Sequence, residues 1–191
     1  MMRCWTCHEH VSGAVCVGCG AVQPPPPQPD PFALLALPRR YHLDLPAMEA
    51  AYRALARQVH PDRFAGRPAV ERRMSLQWTA ALNEARRILK DDVQRARFLA
   101  TGSPFPADKG GPRLDSDFLQ EMFDWREQEE DRPGSIAALA GVRRAEILAE
   151  IDALFTEWED GRGDLALVDD RLARLKYVAG LAKEQDAQHR D

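Results

Sequence analysis

The sequence lacks any apolar run that could cross a bilayer. Its longest, Phe32 to Leu37, falls far short of the ~20 residues a spanning helix needs. The opening Met-Met-Arg-Cys-Trp-Thr-Cys has neither the apolar core of a signal peptide nor the Arg/Ser-rich character of a transit sequence. A cytoplasmic, reducing setting is therefore expected, with no membrane partner. An excess of one sign of charge is also slight, at a net −4. That value argues against broad nucleic-acid binding. There is no phosphate-binding glycine loop, no nucleophile elbow and no second histidine near His60 in sequence. Catalysis within this chain is not expected. Alternation of period two is missing outside the cysteine segment, and no internal repeat is visible. The expected fold is therefore all-α.

The 191 residues can hold one or two domains, each able to bury a core. Hydrophobic content of 45% and charged content of 29% are ordinary for a globular protein. The net charge hides a split. Residues 31–101 carry 13 Lys/Arg against 7 Asp/Glu, and residues 102–191 carry 12 against 21. Halves of opposite sign suggest two surfaces with different partners. Two solvated helical faces would look the same by charge alone.

Composition cuts the chain into segments. Residues 1–20 hold all four cysteines. Residues 21–31 hold Pro24, Pro25, Pro26, Pro27, Pro29 and Pro31, a run expected to act as a semi-rigid spacer. Residues 32–102 and 115–191 read as helical domains, joined by a turn-rich linker over 103–114 with Pro104, Pro106, Gly110, Gly111 and Pro112.

A short helix is expected around Asp30 to Leu37, stopped by Pro38. The second starts from Asp44 as N-cap and runs to Val59, with Met48, Ala51, Tyr52, Leu55 and Val59 toward a core. Pro61 forces a turn. A long helix follows from about Pro68 to Lys90, with Met74, Trp78, Ala81, Leu82, Ala85 and Leu89 on its apolar face. A short helix spans Val93 to Thr101. Three more are expected over 115–130, 135–159 and 164–185. Short breaks at Pro133-Gly134 and Gly161–Gly163 imply an antiparallel three-helix bundle.

Cys4-x-x-Cys7 is followed, after eight residues, by Cys16-x-x-Cys19. Two such pairs supply four thiolates that can close a tetrahedron around Zn²⁺. Gly18 and Gly20 permit the tight knuckle. Zinc is favoured, though four thiolates also take iron, as in rubredoxins. His8 and His10 lie between the pairs and are expected to be exposed, since sulfur fills the shell. A redox role for the pairs is the competing reading.

His60-Pro61-Asp62 ends a basic amphipathic helix and begins a basic loop. With the preceding Tyr52–Val59 and the following Arg63-Phe64, it matches the J-domain pattern. That resemblance implies a module that stimulates a partner chaperone ATPase. Arg53, Arg57 and Arg63 would surround the turn with positive potential and steer an acidic groove to it.

The resemblance extends further. Phe32–Pro38, Arg40–Asp44 and the run to Phe98-Leu99 are similar to the HscB iron–sulfur co-chaperone family. So are Asp117-Phe118-Leu119, Trp125-Arg126-Glu127 and Arg174–Tyr177. The cysteine segment resembles the zinc-binding extension of the eukaryotic, mitochondrial members; without a transit sequence, a bacterial chain carrying it is expected. The family implies two partners: a DnaK/HscA-type chaperone ATPase and an IscU-type iron–sulfur scaffold protein. Carried over by position, the scaffold-binding patch is Leu119, Phe123, Asp124, Glu127 and Tyr177. Gln120 stands where the family usually has an apolar residue. Phe123 and Tyr177 replace the usual Leu and Phe. Read from the residues alone, Leu119 and Phe123 compete with Phe118, Met122 and Trp125 for the bundle core. Two alternatives stay open: a J-domain co-chaperone with another cargo, and a four-cysteine iron electron-transfer protein.

Overall fold

The computed structural model describes residues 2–105 and 112–188, so Pro106, Gly110 and Gly111 of the expected linker lie outside the described residues. The chain forms two compact units, 1–92 and 93–191. Among the described residues there are seven helices and one two-stranded sheet.

The first unit opens with β1 (Met2–Arg3) paired antiparallel to β2 (His10–Val11), in the register Met2 to Val11 and Arg3 to His10. An isolated bridge joins Val15 to Val22. Helix α1 (Pro31–Leu34) begins at Asp30, whose carboxylate accepts the Phe32 and Ala33 amides at 2.9 and 3.0 Å. It was expected to reach Leu37 but stops three residues earlier. The Leu37 amide reaches back to the Phe32 carbonyl and the Ala36 amide to Ala33, with Ala36 left-handed at φ 52°. That is a Schellman closure built on an alanine, without the glycine that would have signalled it in sequence.

Helix α2 (Leu45–Val59) has Asp44 as N-cap, accepting the Ala47 amide at 3.0 Å. A 3₁₀ turn (Pro61–Phe64) leads into α3 (Ala69–Lys90). Helices α1 and α2 both pack on α3. The buried face of α3 differs from expectation in its first half. Glu71 and Ser75 are buried there while Met74 is only half-buried. Both polar residues have partners that justify burial. Ser75 donates to the Val59 carbonyl at 2.6 Å, and Glu71 accepts the Val22 amide at 3.4 Å.

The second unit comprises α4 (Asp92–Thr101), α5 (Ser116–Asp131), α6 (Ser135–Glu159) and α7 (Val168–Gln188). Helix α6 packs against both α5 and α7. Helix α7 starts at Val168 rather than Asp164. Asp164 instead accepts the Ala166 amide at 2.9 Å, closing a side-chain turn, and the Val168 amide bonds Leu165. Glu129, buried near the end of α5, accepts from the Gly134 and Ile136 amides and the Ser135 hydroxyl at 2.6, 2.8 and 3.0 Å. A carboxylate thereby satisfies the free donors at the α6 N-terminus and complements its dipole. Arg97 of α4 pairs with Asp169 of α7 at 3.0 Å.

Phe118, Met122, Trp125, Ile147, Ile151, Phe155, Leu172 and Val178 form the core of this unit. Phe155 is fully buried and meets Trp158 edge to face, with centroids 6.1 Å apart. Phe155→Ala is expected to cost about 3–5 kcal/mol in a urea titration. A loss under ~1 kcal/mol would show that the three helices do not pack around this ring. No helix among the described residues is long and apolar enough to cross a membrane.

Candidate functional site: an exposed turn, a thiol cluster and a helix face

Proline ends α2 at His60 because it has no amide to donate and its ring clashes with a continuing helix. His60 adopts an extended conformation, φ −57° and ψ 133°, and its Nδ1 accepts the Asp62 amide at 3.3 Å. Acceptance at Nδ1 places the proton of neutral His60 on Nε2. The His60 and Asp62 side chains are 56% and 90% exposed, with Nδ1 3.5 Å from Asp62 Oδ2. Two bonds fix this exposed turn. Arg63 Nη1 donates to the Arg57 carbonyl at 3.2 Å, and Ser75 Oγ donates to that of Val59. Both carbonyls belong to the last turn of α2, which has no helical donors left for them.

His60, Arg53, Arg57 and Arg63 line one shallow depression of about 540 Å³ with Tyr52 and Ala56. Arg53 stands 3.9 Å from Glu49. Arg57 and Arg63 have no carboxylate partner among the described residues. The turn and its basic flank thus form one positively charged face. Arg86, which the sequence reading did not single out, stacks on Tyr52 at 5.1 Å and pairs with Glu49 at 2.8 Å.

The four cysteine sulfurs all lie within 4.8 Å of one another. Cys4 is 3.6 Å from Cys19, and Cys7 is 3.6 Å from Cys16. Tetrahedral coordination at a Zn–S distance of ~2.3 Å sets sulfurs ~3.8 Å apart, so this donor set fits one metal ion. The two knuckles match. Cys4 N and Cys16 N bond to Glu9 O and Ala21 O, and His8 N and Gly20 N bond back to Cys4 O and Cys16 O. The residue closing each turn is left-handed, His8 at φ 63° and Gly20 at φ 73°. Gly20 therefore has the role expected of it. Gly18 is not left-handed; it leaves room for Glu9, whose Oε2 would lie 2.0 Å from an added Cβ. His8 and His10 are exposed, outside the sulfur shell.

The thiols divide in acidity. The Cys7 backbone amide, then the Thr6 amide and neighbouring thiols, outweigh burial and lower Cys4 to about 6. At Cys7 the Glu9 amide lowers, but burial and the Cys19, Cys16 and Cys4 thiols push it up to about 12. A bound cation replaces the protons such a crowded set retains.

On α5, Phe118, Met122 and Trp125 take the core, and Phe123 is left 56% exposed. Leu119 is half-buried, while Asp124 and Glu127 are exposed. Their spacing puts Leu119, Phe123 and Glu127 on one helix face. Gln120 Nε2 donates to Asp124 at 2.9 Å, holding that carboxylate beside Phe123. Tyr177 of α7 reaches α5 through Phe118, with ring centroids 5.9 Å apart. Tyr177 also lines a cleft of about 420 Å³ with Arg97, Arg126, Lys176, Asp169 and Glu184. Asp115 starts α5, and the Phe118 amide, followed by Arg174, holds its carboxyl below the usual range.

No family model matches the chain. Curated relatives do. A co-chaperone protein HscB homolog of Bordetella pertussis is 35% identical over 161 residues, 83% of this chain and 95% of that one. The corresponding homolog of Azoarcus sp. is 34% identical over 165 residues, covering 83% and 93%. The crystal structure of human co-chaperone protein HscB superposes with a TM-score of 0.78 at 22% identity, covering 98% of both chains. Chaperone HscB from Vibrio cholerae superposes at 0.62 and 25% identity, covering 84% of this chain and 97% of its own. The relatives are named co-chaperones rather than enzymes, which defines the class. Within it, the chain belongs to the HscB co-chaperone family.

Proposed function

We propose that this chain stimulates the ATPase of a DnaK/HscA-type chaperone through its J-domain and delivers an IscU-type iron–sulfur scaffold protein to it. The observation that carries the reading is the exposed His60-Pro61-Asp62 turn, fixed by Arg63 and Ser75, beside two arginines without carboxylate partners among the described residues. Membership of the HscB family supports it. His60, Pro61 and Asp62 would engage the ATPase, and Arg53, Arg57 and Arg63 would steer its acidic surface. The scaffold would dock on Leu119, Phe123, Asp124, Glu127 and Tyr177. An exposed phenylalanine beside the held carboxylate of Asp124 and the exposed Glu127 suits a partner with an apolar pocket and a basic rim. Cys4, Cys7, Cys16 and Cys19 would hold zinc as a structural ion. The bacterial cytoplasm is the setting we assign.

Phe123→Ala is expected to weaken scaffold binding roughly 10- to 100-fold in calorimetric titration. The substituted side chain is exposed, so the fold and the J-domain's own stimulation of the chaperone persist. Unchanged affinity would remove Phe123 from the patch. A different cargo remains the second reading. Gln120, Phe123 and Tyr177 depart from the family's usual residues on this face, and direct binding of IscU separates the two.

A further inference from the structure

We propose that Gln23 is a positioning residue that couples metal loading of the four-cysteine cluster to the His-Pro-Asp hairpin, holding Cys4 through its side chain and Trp78 of α3 through its carbonyl. The proposal rests on the reading of the cluster as a metal site. Gln23 falls in the segment whose prolines suggest a spacer, yet it is only 2% exposed. All its polar groups are engaged. Nε2 donates to Cys4 Sγ at 3.4 Å and to the Ala21 carbonyl at 2.8 Å. Oε1 accepts the Trp5 amide at 3.4 Å. The backbone amide donates to Ala14 at 2.8 Å. The carbonyl accepts Trp78 Nε1 at 2.7 Å.

Neighbouring residues extend the attachment. The Val22 amide donates to Glu71, and the Val22 carbonyl accepts Trp5 Nε1 at 2.7 Å. A Cβ on Gly20 would lie 3.3 Å from Arg67, in the loop that leads from the His-Pro-Asp turn to α3. Glu71 and Trp78 are seven residues apart and share one face of α3. Between them on that face sits Ser75, bonded to Val59, the residue before His60. A path of polar contacts therefore runs from a cluster sulfur to Trp78, and through the body of α3 to Ser75 and the turn.

Apart from these hydrogen bonds, little besides the metal would hold the near end of this path. The sheet beside the cluster has two residues per strand, too few to stand alone. When the metal leaves, the segment carrying Val22 and Gln23 loosens. Trp78 then loses its acceptor and Glu71 its donor, both in buried positions. Unpartnered buried polar groups disfavour the docked arrangement, so α3 loosens near its start. The coupling must be reciprocal: weakening the Trp78 end lowers metal affinity at the cysteines.

The test uses the full chain and zinc competed against a chromophoric chelator. Trp78→Phe keeps the ring and removes the donor. Its zinc affinity should fall about tenfold relative to the unsubstituted chain. Trp158→Phe, in the second unit, should leave that affinity unchanged. In parallel, removing zinc from the unsubstituted chain should speed amide exchange over residues 69–79 and leave residues 147–155 as they were. Equal zinc affinity for Trp78→Phe and the unsubstituted chain overturns the coupling. So does exchange over 69–79 that ignores zinc, which decides the matter if Trp78→Phe fails to fold. An unsubstituted chain that binds no zinc removes the metal reading itself, and the coupling with it.

Discussion

His60→Gln will abolish stimulation of the partner chaperone's ATP turnover and leave the chain folded. Three observations set this expectation. The imidazole is more than half exposed, so its loss removes little packing, and losing its acceptance of the Asp62 amide should cost only about 1 kcal/mol. The turn keeps its shape without it, because Pro61, Arg63 and Ser75 supply the constraints. The exposed imidazole nevertheless lines the same depression as Arg53, Arg57 and Arg63, where a partner's acceptor would meet it. Glutamine offers an amide on a flexible stem in place of a flat ring fixed by the Asp62 amide. Single-turnover hydrolysis and a thermal melt on the same sample check both halves. Full stimulation by the folded variant would remove the turn from the interface.

The second large effect concerns the thiols. Cys16→Ser should take the chain from one bound zinc to none and unfold the segment around the cluster. Structural zinc in small modules contributes about 10–16 kcal/mol in apparent terms at neutral pH. The core of this module is little more than Cys4, Val11, Cys16 and Ala21, far too small to replace that contribution. Elemental analysis and limited proteolysis of the first 23 residues read the two consequences. A variant that keeps one equivalent of zinc and an intact N-terminus would show that the module stands on packing. The colour of the unsubstituted protein separates the metals: red absorption means thiolate iron and favours the electron-transfer alternative, whereas a colourless zinc protein does not.

The helices were legible because amphipathic spacing and punctuation coincide. Asp44 before Leu45, Pro61 after Val59 and Pro133-Gly134 before Ser135 are local signals, and the elements they bound appear where expected. Ends without such a signal were missed. Ala36 closes α1 in a conformation usually given to glycine, and Asp164 starts a turn where the helix itself was expected to begin. On α5, periodicity offered two apolar stripes; packing chose Phe118, Met122 and Trp125 and left Phe123 outside.

The cysteine cluster could be anticipated from spacing alone, since the cysteines are few, local and regularly paired. Its attachment to α3 could not. Val22 meets Glu71, and Gln23 meets Trp78, across 49 and 55 residues of sequence. Nothing in the local pattern marks a glutamine among prolines, or a glutamate in a first helical turn, as a buried partner. Ser75 is of the same kind: a polar residue at a buried helix position is explained only by the carbonyl it meets.

The central claim is tested most directly by the ATP hydrolysis rate of a DnaK/HscA-type chaperone with this chain added, in the presence and absence of an IscU-type scaffold. The account predicts stimulation by the chain alone, and a further increase when the scaffold is present. A rate that the chain does not raise, with or without the scaffold, would contradict it.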